Sequence, residues 1–173
     1  MKKTIYFIFL CSFSVLVFLQ SCKKDTNEAQ TPPEYIATDA SFAGFMSWSL
    51  DATNQGADPA LGGAHAGNDS TVTRKVYFKD GQSLVNGSYP IGTIIVKHSA
   101  NPDQTVNEFT AMVKRGNNFN VAGGDWEWFM LNTDGSIAVD QASGMAMRGA
   151  SLMDGMCLSC HQGASSKDYV FSK

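Results

Sequence analysis

The sequence predicts an α+β domain: mainly antiparallel β-sheet, short helices at both ends, and a Cys-x-x-Cys-His motif near the C-terminus. Three observations predict it. Four runs rich in β-branched and aromatic residues, at 73–78, 93–97, 109–114 and 126–131, are bounded by Gly, Asn, Asp and Pro. The links between these runs suit antiparallel neighbours better than parallel strands joined by crossover helices. Helical patterning appears only outside them, before residue 50 and after residue 140.

Taken in order, Asp39 is expected to cap a short helix carrying Phe42, Phe45, Met46 and Trp48 on one side. Residues 51–70 are mostly Ala, Gly, Asn and Asp without a period, and they read as a long loop. Asp80-Gly81 closes the first predicted strand. Tyr89-Pro90-Ile91-Gly92 turns the chain into the second, and Gly123-Gly124-Asp125 and Asp134-Gly135 bound the fourth. Residues 141–156, rich in Ala, Gly, Met and Ser, are expected to be a helix or packed coil.

A chain of 173 residues, 43% hydrophobic, is long enough for one domain with a core and short for two. Its net charge of -3, with no basic block, excludes a nucleic-acid partner, because nothing would neutralise phosphate. Only 5 prolines and no long polar tract argue against general disorder. The 4 cysteines are too few for a disulfide scaffold and fall in unrelated contexts.

Residues 1–21 read as a signal peptide: Lys2 and Lys3, an apolar run from Ile5 to Leu19, then small residues before a cut. The run is shorter than the roughly 20 residues a spanning helix needs. The ending Leu19-Gln20-Ser21-Cys22 resembles the lipobox of bacterial lipoproteins, which implies lipidation of Cys22. Residues 22–38 are then a polar tether, and residues 39–173 the folded domain. Acyl chains on Cys22 would hold that domain at a membrane of the cell envelope, facing the periplasm or the cell surface. An ordinary secreted protein with a free Cys22 is the alternative.

Cys157-Leu158-Ser159-Cys160-His161 has the spacing of a c-type haem attachment site. Each thiol forms a thioether to a haem vinyl group, and the adjoining histidine supplies the axial nitrogen to iron. Export fits, since covalent haem attachment takes place outside the bacterial cytoplasm. A thioredoxin-like pair requires a βαβ context that is not found here. Zinc requires a fourth ligand, and no second Cys-x-x-Cys exists. Neither Met nor His follows His161, so any sixth ligand comes from upstream. Met145, Met147, Met153 and Met156 are close in sequence and read first as packing residues. His65 and His98 read as surface histidines. An open side on the iron favours small-ligand binding or redox chemistry over pure electron transfer.

Strands and motif together resemble one family, cytochrome P-460 and its relative cytochrome c′-beta. The resemblance is carried by Pro90-Ile91-Gly92-Thr93-Ile94-Ile95-Val96-Lys97, by Met112-Val113-Lys114 with Phe119-Asn120, and by Gly124-Asp125-Trp126-Glu127-Trp128. Cys157 to His161, followed by Lys167-Asp168-Tyr169-Val170-Phe171, completes it. It implies an antiparallel sheet platform holding one haem c, in a chain that is often a homodimer. It further implies oxidation of hydroxylamine with nitric oxide chemistry, and hence a redox partner protein. For the c′-beta relatives it implies nitric oxide binding without turnover. Lys97 matches the lysine that the family links covalently to the haem edge, and Arg74, Phe109 and Thr110 match distal-side positions. Hydroxylamine-oxidising members can carry a carboxylate where Thr110 stands, and threonine accepts no proton at neutral pH. His98 stands where an acidic residue often follows the lysine. Enzyme, nitric oxide binder and electron carrier with a methionine ligand all stay open.

Strand alternation adds that Lys97 shares a face with Thr93 and Ile95, and Arg74 a face with Val76 and Phe78. An arginine on an apolar face is expected to meet a haem propionate or a ligand. Trp126 and Trp128 share one face as core or haem packing.

Overall fold

Six consecutive strands pair as an antiparallel meander in the computed structural model, which describes residues 33–171. The signal segment and Cys22 lie outside the described residues, as does the tether up to residue 32. Strands are β1 (Ser49–Gln55), β2 (Thr73–Phe78), β3 (Ile94–Ala100), β4 (Asn107–Lys114), β5 (Trp126–Leu131) and β6 (Arg148–Gly149). One α-helix, α1, covers Met156–His161. Among the described residues, no helix is long and apolar enough to cross a membrane.

The predicted strands β2 to β5 form where alternation placed them. The register sets Val76 opposite Lys97, Lys97 opposite Thr110, and Thr110 opposite Met130. Paired residues share a face, so this line of side chains runs straight across the sheet. One face packs Tyr77, Ile94, Val96, Phe109, Val113 and Phe129 beneath Ala37, Phe42 and Phe45 of the N-terminal segment. The Phe45 ring meets Tyr77 and Phe109 edge-on, at 6.0 and 5.6 Å between centroids. The other face packs Val76, Phe78, Ile95, Met112, Trp126 and Trp128 beneath Tyr89 and Val170, with Cys157 and Tyr169 at the margin. Each large side chain buried in this way contributes roughly 1.5–3 kcal/mol.

Four sequence expectations change. The loop expected over residues 51–70 is shorter: its first five residues belong to edge strand β1, which pairs with β2 with a register shift between Leu50 and Ala52. Only Ala52 of that strand is buried, so its sequence carries no apolar alternation. The N-terminal helix is two 3-10 turns, Asp39–Ser41 and Phe45–Ser47, separated by Gly44 at φ 67°. Thr38 rather than Asp39 precedes the first turn, and Asp39 instead accepts from the Ile137 amide at 2.9 Å. Residues 34–38 pack on the sheet instead of extending the tether: Tyr35 donates its amide to the Arg115 carbonyl, and Ala37 is fully buried. Residues 141–156 form turns and β6, with Met145 and Met153 exposed, because glycines and polar residues leave no continuous apolar stripe.

A buried network ties the N-terminal segment to the first face. Glu127 is 1% exposed and accepts from Arg148 at 2.7 and 2.8 Å and from Arg115 at 3.3 Å. Arg148 also donates to the Ala37 carbonyl and lies over the Phe129 ring.

Candidate functional site

The second face of the sheet carries the chemistry, and α1 with the residues after it closes over that face. Gly155, at φ 80°, turns the chain into α1. Cys157 and Cys160 are three residues apart, so both thiols project from the same side of this helical turn. Both are free thiols, partly buried. Burial pushes the Cys157 thiol up from its ordinary value.

His161 ends α1. Its ring lies 4.6 Å from Trp128 and 5.3 Å from Phe171, centroid to centroid. Nδ1 is 2.7 Å from the Tyr169 carbonyl oxygen. A carbonyl only accepts, so Nδ1 carries the hydrogen and Nε2 holds the lone pair. Burial holds the imidazole down to about 4, with the Tyr169 hydrogen bond opposing and the charges of His65 and Lys97 assisting. The ring is therefore neutral at physiological pH and ready to ligate a metal through Nε2.

The Tyr169 carbonyl is itself fixed from below. Lys114 Nζ lies 2.7 Å from both oxygens of Asp168, and the pair is almost fully buried. Asp168 also accepts from the Tyr89 amide at 2.7 Å and the Ser88 hydroxyl at 3.0 Å. Trp126 Nε1 donates to the Asp168 carbonyl at 2.7 Å. Asp168 and Tyr169 both adopt left-handed backbone, at φ 52° and 66°. Gly124 permits the close approach, since a Cβ there would stand 2.9 Å from two Tyr169 ring carbons.

Lys97 rises from the middle strand of the same face, half-buried, with no hydrogen-bond partner among the described residues. Burial lowers its ammonium from 10.5 to about 8, and the neighbouring Arg74 charge acts in the same direction. Glu108, Cys160 and Asp58 oppose that shift through their negative charge. Arg74 is 2% exposed, and its guanidinium donates to the carbonyls of Gly56 at 2.6 Å and Ala66 at 3.5 Å. Its partners are thus the first residue of the loop between β1 and β2 and a residue in the second half of that loop. Thr110, opposite Lys97, has its hydroxyl 3.4 Å from His65 Nδ1.

The structure brings Lys97, Arg74 and Thr110 together on the face that receives Cys157, Cys160 and His161. Phe109 does not join them. It packs on the opposite face against Phe45 and stacks on His98 at 4.3 Å, because period-2 alternation separates it from Thr110. His98 is bonded to Asn107 on that same side. Met145, Met153 and Met156 are exposed.

Sequence reasoning missed the contribution of His65 and Glu108. Glu108 precedes Thr110 by two residues and shares its face, which alternation already implies. Nothing in the residues around His65 announces that its loop folds over the sheet.

The donor set fits a covalently held haem. Two thiols on one turn of helix adjoin an imidazole whose Nδ1 is fixed and whose Nε2 is available. Phe171, which touches His161, also lines an open concavity of about 450 Å³ between β1 and the residues following α1, which Cys157, Cys160, His161 and Lys97 do not line. The buried Trp128 Nε1 on this face has no hydrogen-bond partner.

No curated protein and no solved structure matches the chain. Residues 43–172 match the family model Cytochrome P460, a span that includes all six strands and α1. The chain belongs to the cytochrome P460 family, and that membership implies a haem cofactor.

Proposed function

We propose that this protein holds one haem c through Cys157 and Cys160, with His161 as axial ligand, and uses it to bind and oxidise small nitrogen species such as hydroxylamine and nitric oxide. The observation that carries the reading is the 2.7 Å contact from His161 Nδ1 to the Tyr169 carbonyl, one residue beyond the thiol pair. It presents a neutral, oriented Nε2 beside two thiols, which is what a c-type haem requires. When bound, the haem supplies an iron that coordinates the nitrogen species and a macrocycle that passes electrons onward.

The chain's own residues do the rest. Trp128 and Phe171 pack the His161 ring and keep water from it. Arg74 holds the β1–β2 loop over the face by its two carbonyls. Lys97 presents an amine that burial brings close to neutrality, the state in which an amine forms a bond to the haem edge. A redox partner protein takes the electrons released. Lipidated Cys22 tethers the domain at the cell envelope, and the assembly is a homodimer.

A second reading, nitric oxide binding without turnover, is favoured by Thr110, which offers no carboxylate at the position opposite Lys97. Spectra separate the readings. Cross-linked, ligand-oxidising protein gives a strongly red-shifted ferrous Soret band, and a plain binder gives an ordinary five-coordinate spectrum. A low-spin resting spectrum with slow nitric oxide binding points instead to an electron carrier. Material matured in a working haem-attachment system that carries no haem overturns the whole reading.

A further inference from the structure

We propose that His65, oriented by Glu108, is the proton-accepting residue of the haem site. The inference rests on the haem reading above and adds the group that Thr110 cannot provide.

The geometry begins with an outlier. His65 and Ala66 occupy left-handed backbone at φ 51° and 53°, two successive non-glycine residues in that region. Such a conformation persists only where surrounding structure holds it, and it concentrates at functional sites. The holding group here is the buried guanidinium of Arg74, which bonds Gly56 at the start of the loop and Ala66, the residue after His65. The result is that His65 lies against β4. Its Nδ1 is 3.4 Å from Thr110 Oγ1 and 3.5 Å from Glu108 Oε1.

Each neighbour has a consequence. Both contacts fall on Nδ1, so a hydrogen placed there, drawn by the nearby carboxylate, leaves the lone pair on Nε2. That is the arrangement by which a carboxylate fixes a catalytic imidazole in one tautomer. Thr110 pairs with Lys97 on the face over which α1 closes, so the His65 ring beside Thr110 lies on the side where the haem would sit. The other charged or titratable groups facing this space are Lys97 on β3, Arg74 on β2, Asp58 in the loop and Cys160 on α1. His98 is excluded, since it stacks on Phe109 on the far face.

Hydroxylamine must shed protons as it is oxidised, and so must any weak acid that binds ferric iron as its anion. Hydrogen cyanide isolates that step without redox chemistry. Its proton passes to His65 Nε2, the cyanide ion adds to the iron, and no electron moves. Carbon monoxide binding to the ferrous form transfers no proton and serves as the control.

The test uses the full, haem-loaded chain and stopped-flow association rates between about pH 5 and 9, where imidazoles change state. His65→Asn is the first variant, because asparagine tolerates left-handed backbone. It is expected to slow cyanide association at least about tenfold and to flatten its pH profile, a loss in the range general-base removal produces. Glu108→Gln, which leaves the base but frees its tautomer, slows it less and shifts the same profile. Carbon monoxide association stays within about twofold throughout. Cyanide rates within twofold of wild type in both variants overturn the proposal. So does a low-spin ferric spectrum that becomes high-spin in His65→Asn, because His65 is then the iron's ligand. A wild-type protein that binds neither probe removes the haem reading itself, and this proposal with it.

Discussion

His161 Nδ1 donates to the carbonyl oxygen of Tyr169 across 2.7 Å, and both residues belong to the short C-terminal segment that begins at α1. The acceptor is a backbone atom, so its position depends on whatever fixes residues 168 and 169. Lys114 and Asp168 do this from inside the core, and Gly124 leaves room for the Tyr169 ring. The His161 ring is thus oriented by an ion pair that never touches it.

Asp168→Asn tests that dependence. The substitution keeps the shape but leaves the Lys114 ammonium buried without a counter-charge, which typically costs about 3–5 kcal/mol. Chemical denaturation of the haem-loaded protein should show a loss of that order. Surviving folded protein should also show a perturbed axial-ligand spectrum. A stability loss with an unaltered spectrum would show that the pair holds the fold and not the ligand.

Haem attachment gives a second expectation. With one haem per chain bound through Cys157 and Cys160, as proposed, the intact mass of exported protein should exceed the polypeptide by one haem. Cys157→Ala with Cys160→Ala leaves Lys97 as the remaining covalent tie, and adding Lys97→Ala releases the haem into acid-acetone extract. Covalent haem persisting through any route other than Lys97 in the double variant contradicts the assignment.

The sheet was legible where its residues alternate and obscure where they do not. Thr73 to Phe78 and Trp126 to Leu131 announce themselves as runs of β-branched and aromatic residues, most of them buried. β1 does not, since an exposed edge strand with one buried alanine needs no pattern beyond its hydrogen bonds to β2. Lys97 and Arg74 were placed on their face by period 2 alone, and Cys157 to His161 by spacing. Phe109 was assigned by analogy against the parity that separates it from Thr110. His65 was invisible for a physical reason: its position depends on a loop closed by Arg74 from 9 residues away in sequence, and no local period encodes such a clamp.

Face assignment yields a third prediction. Phe109→Leu, on the face away from α1, should lower stability by about 1–1.5 kcal/mol through imperfect repacking against Phe45 and His98. The ferric and ferrous spectra should match wild type, and nitric oxide association should be unchanged. Thr110→Val, on the opposite face and nearly isosteric, removes the hydroxyl beside His65 and should alter ligand association with little change in the midpoint of unfolding. Spectral effects that follow Phe109 instead of Thr110 would reverse the assignment of faces.

Lys97 carries the last prediction. Its ammonium falls to about 8 inside the site, mainly because burial disfavours the charge, while the unfolded chain keeps the ordinary value of 10.5. Between those two values the unfolded state binds more protons than the folded one, so unfolding free energy rises with pH across that window. Below about pH 8 both states are protonated, and the folded protein bears the full penalty of a buried charge, as much as about 3 kcal/mol. Haem-free protein should therefore gain stability from Lys97 between about pH 8 and 10.5, and Lys97→Met should lack that gain and be more stable at neutral pH. The same depression leaves a usable fraction of neutral amine at physiological pH, which is the form that bonds to carbon. In matured protein, proteolysis should leave the Lys97 peptide attached to the haem peptide containing Cys157 and Cys160. The yield of that attachment should climb as the maturation pH passes about 8. Lys97→Ala should return the ferrous Soret band to an ordinary c-type position. Peptides that separate freely, with a mutant spectrum identical to wild type, would leave Lys97 as a buried charge only and give the lead to nitric oxide binding without turnover.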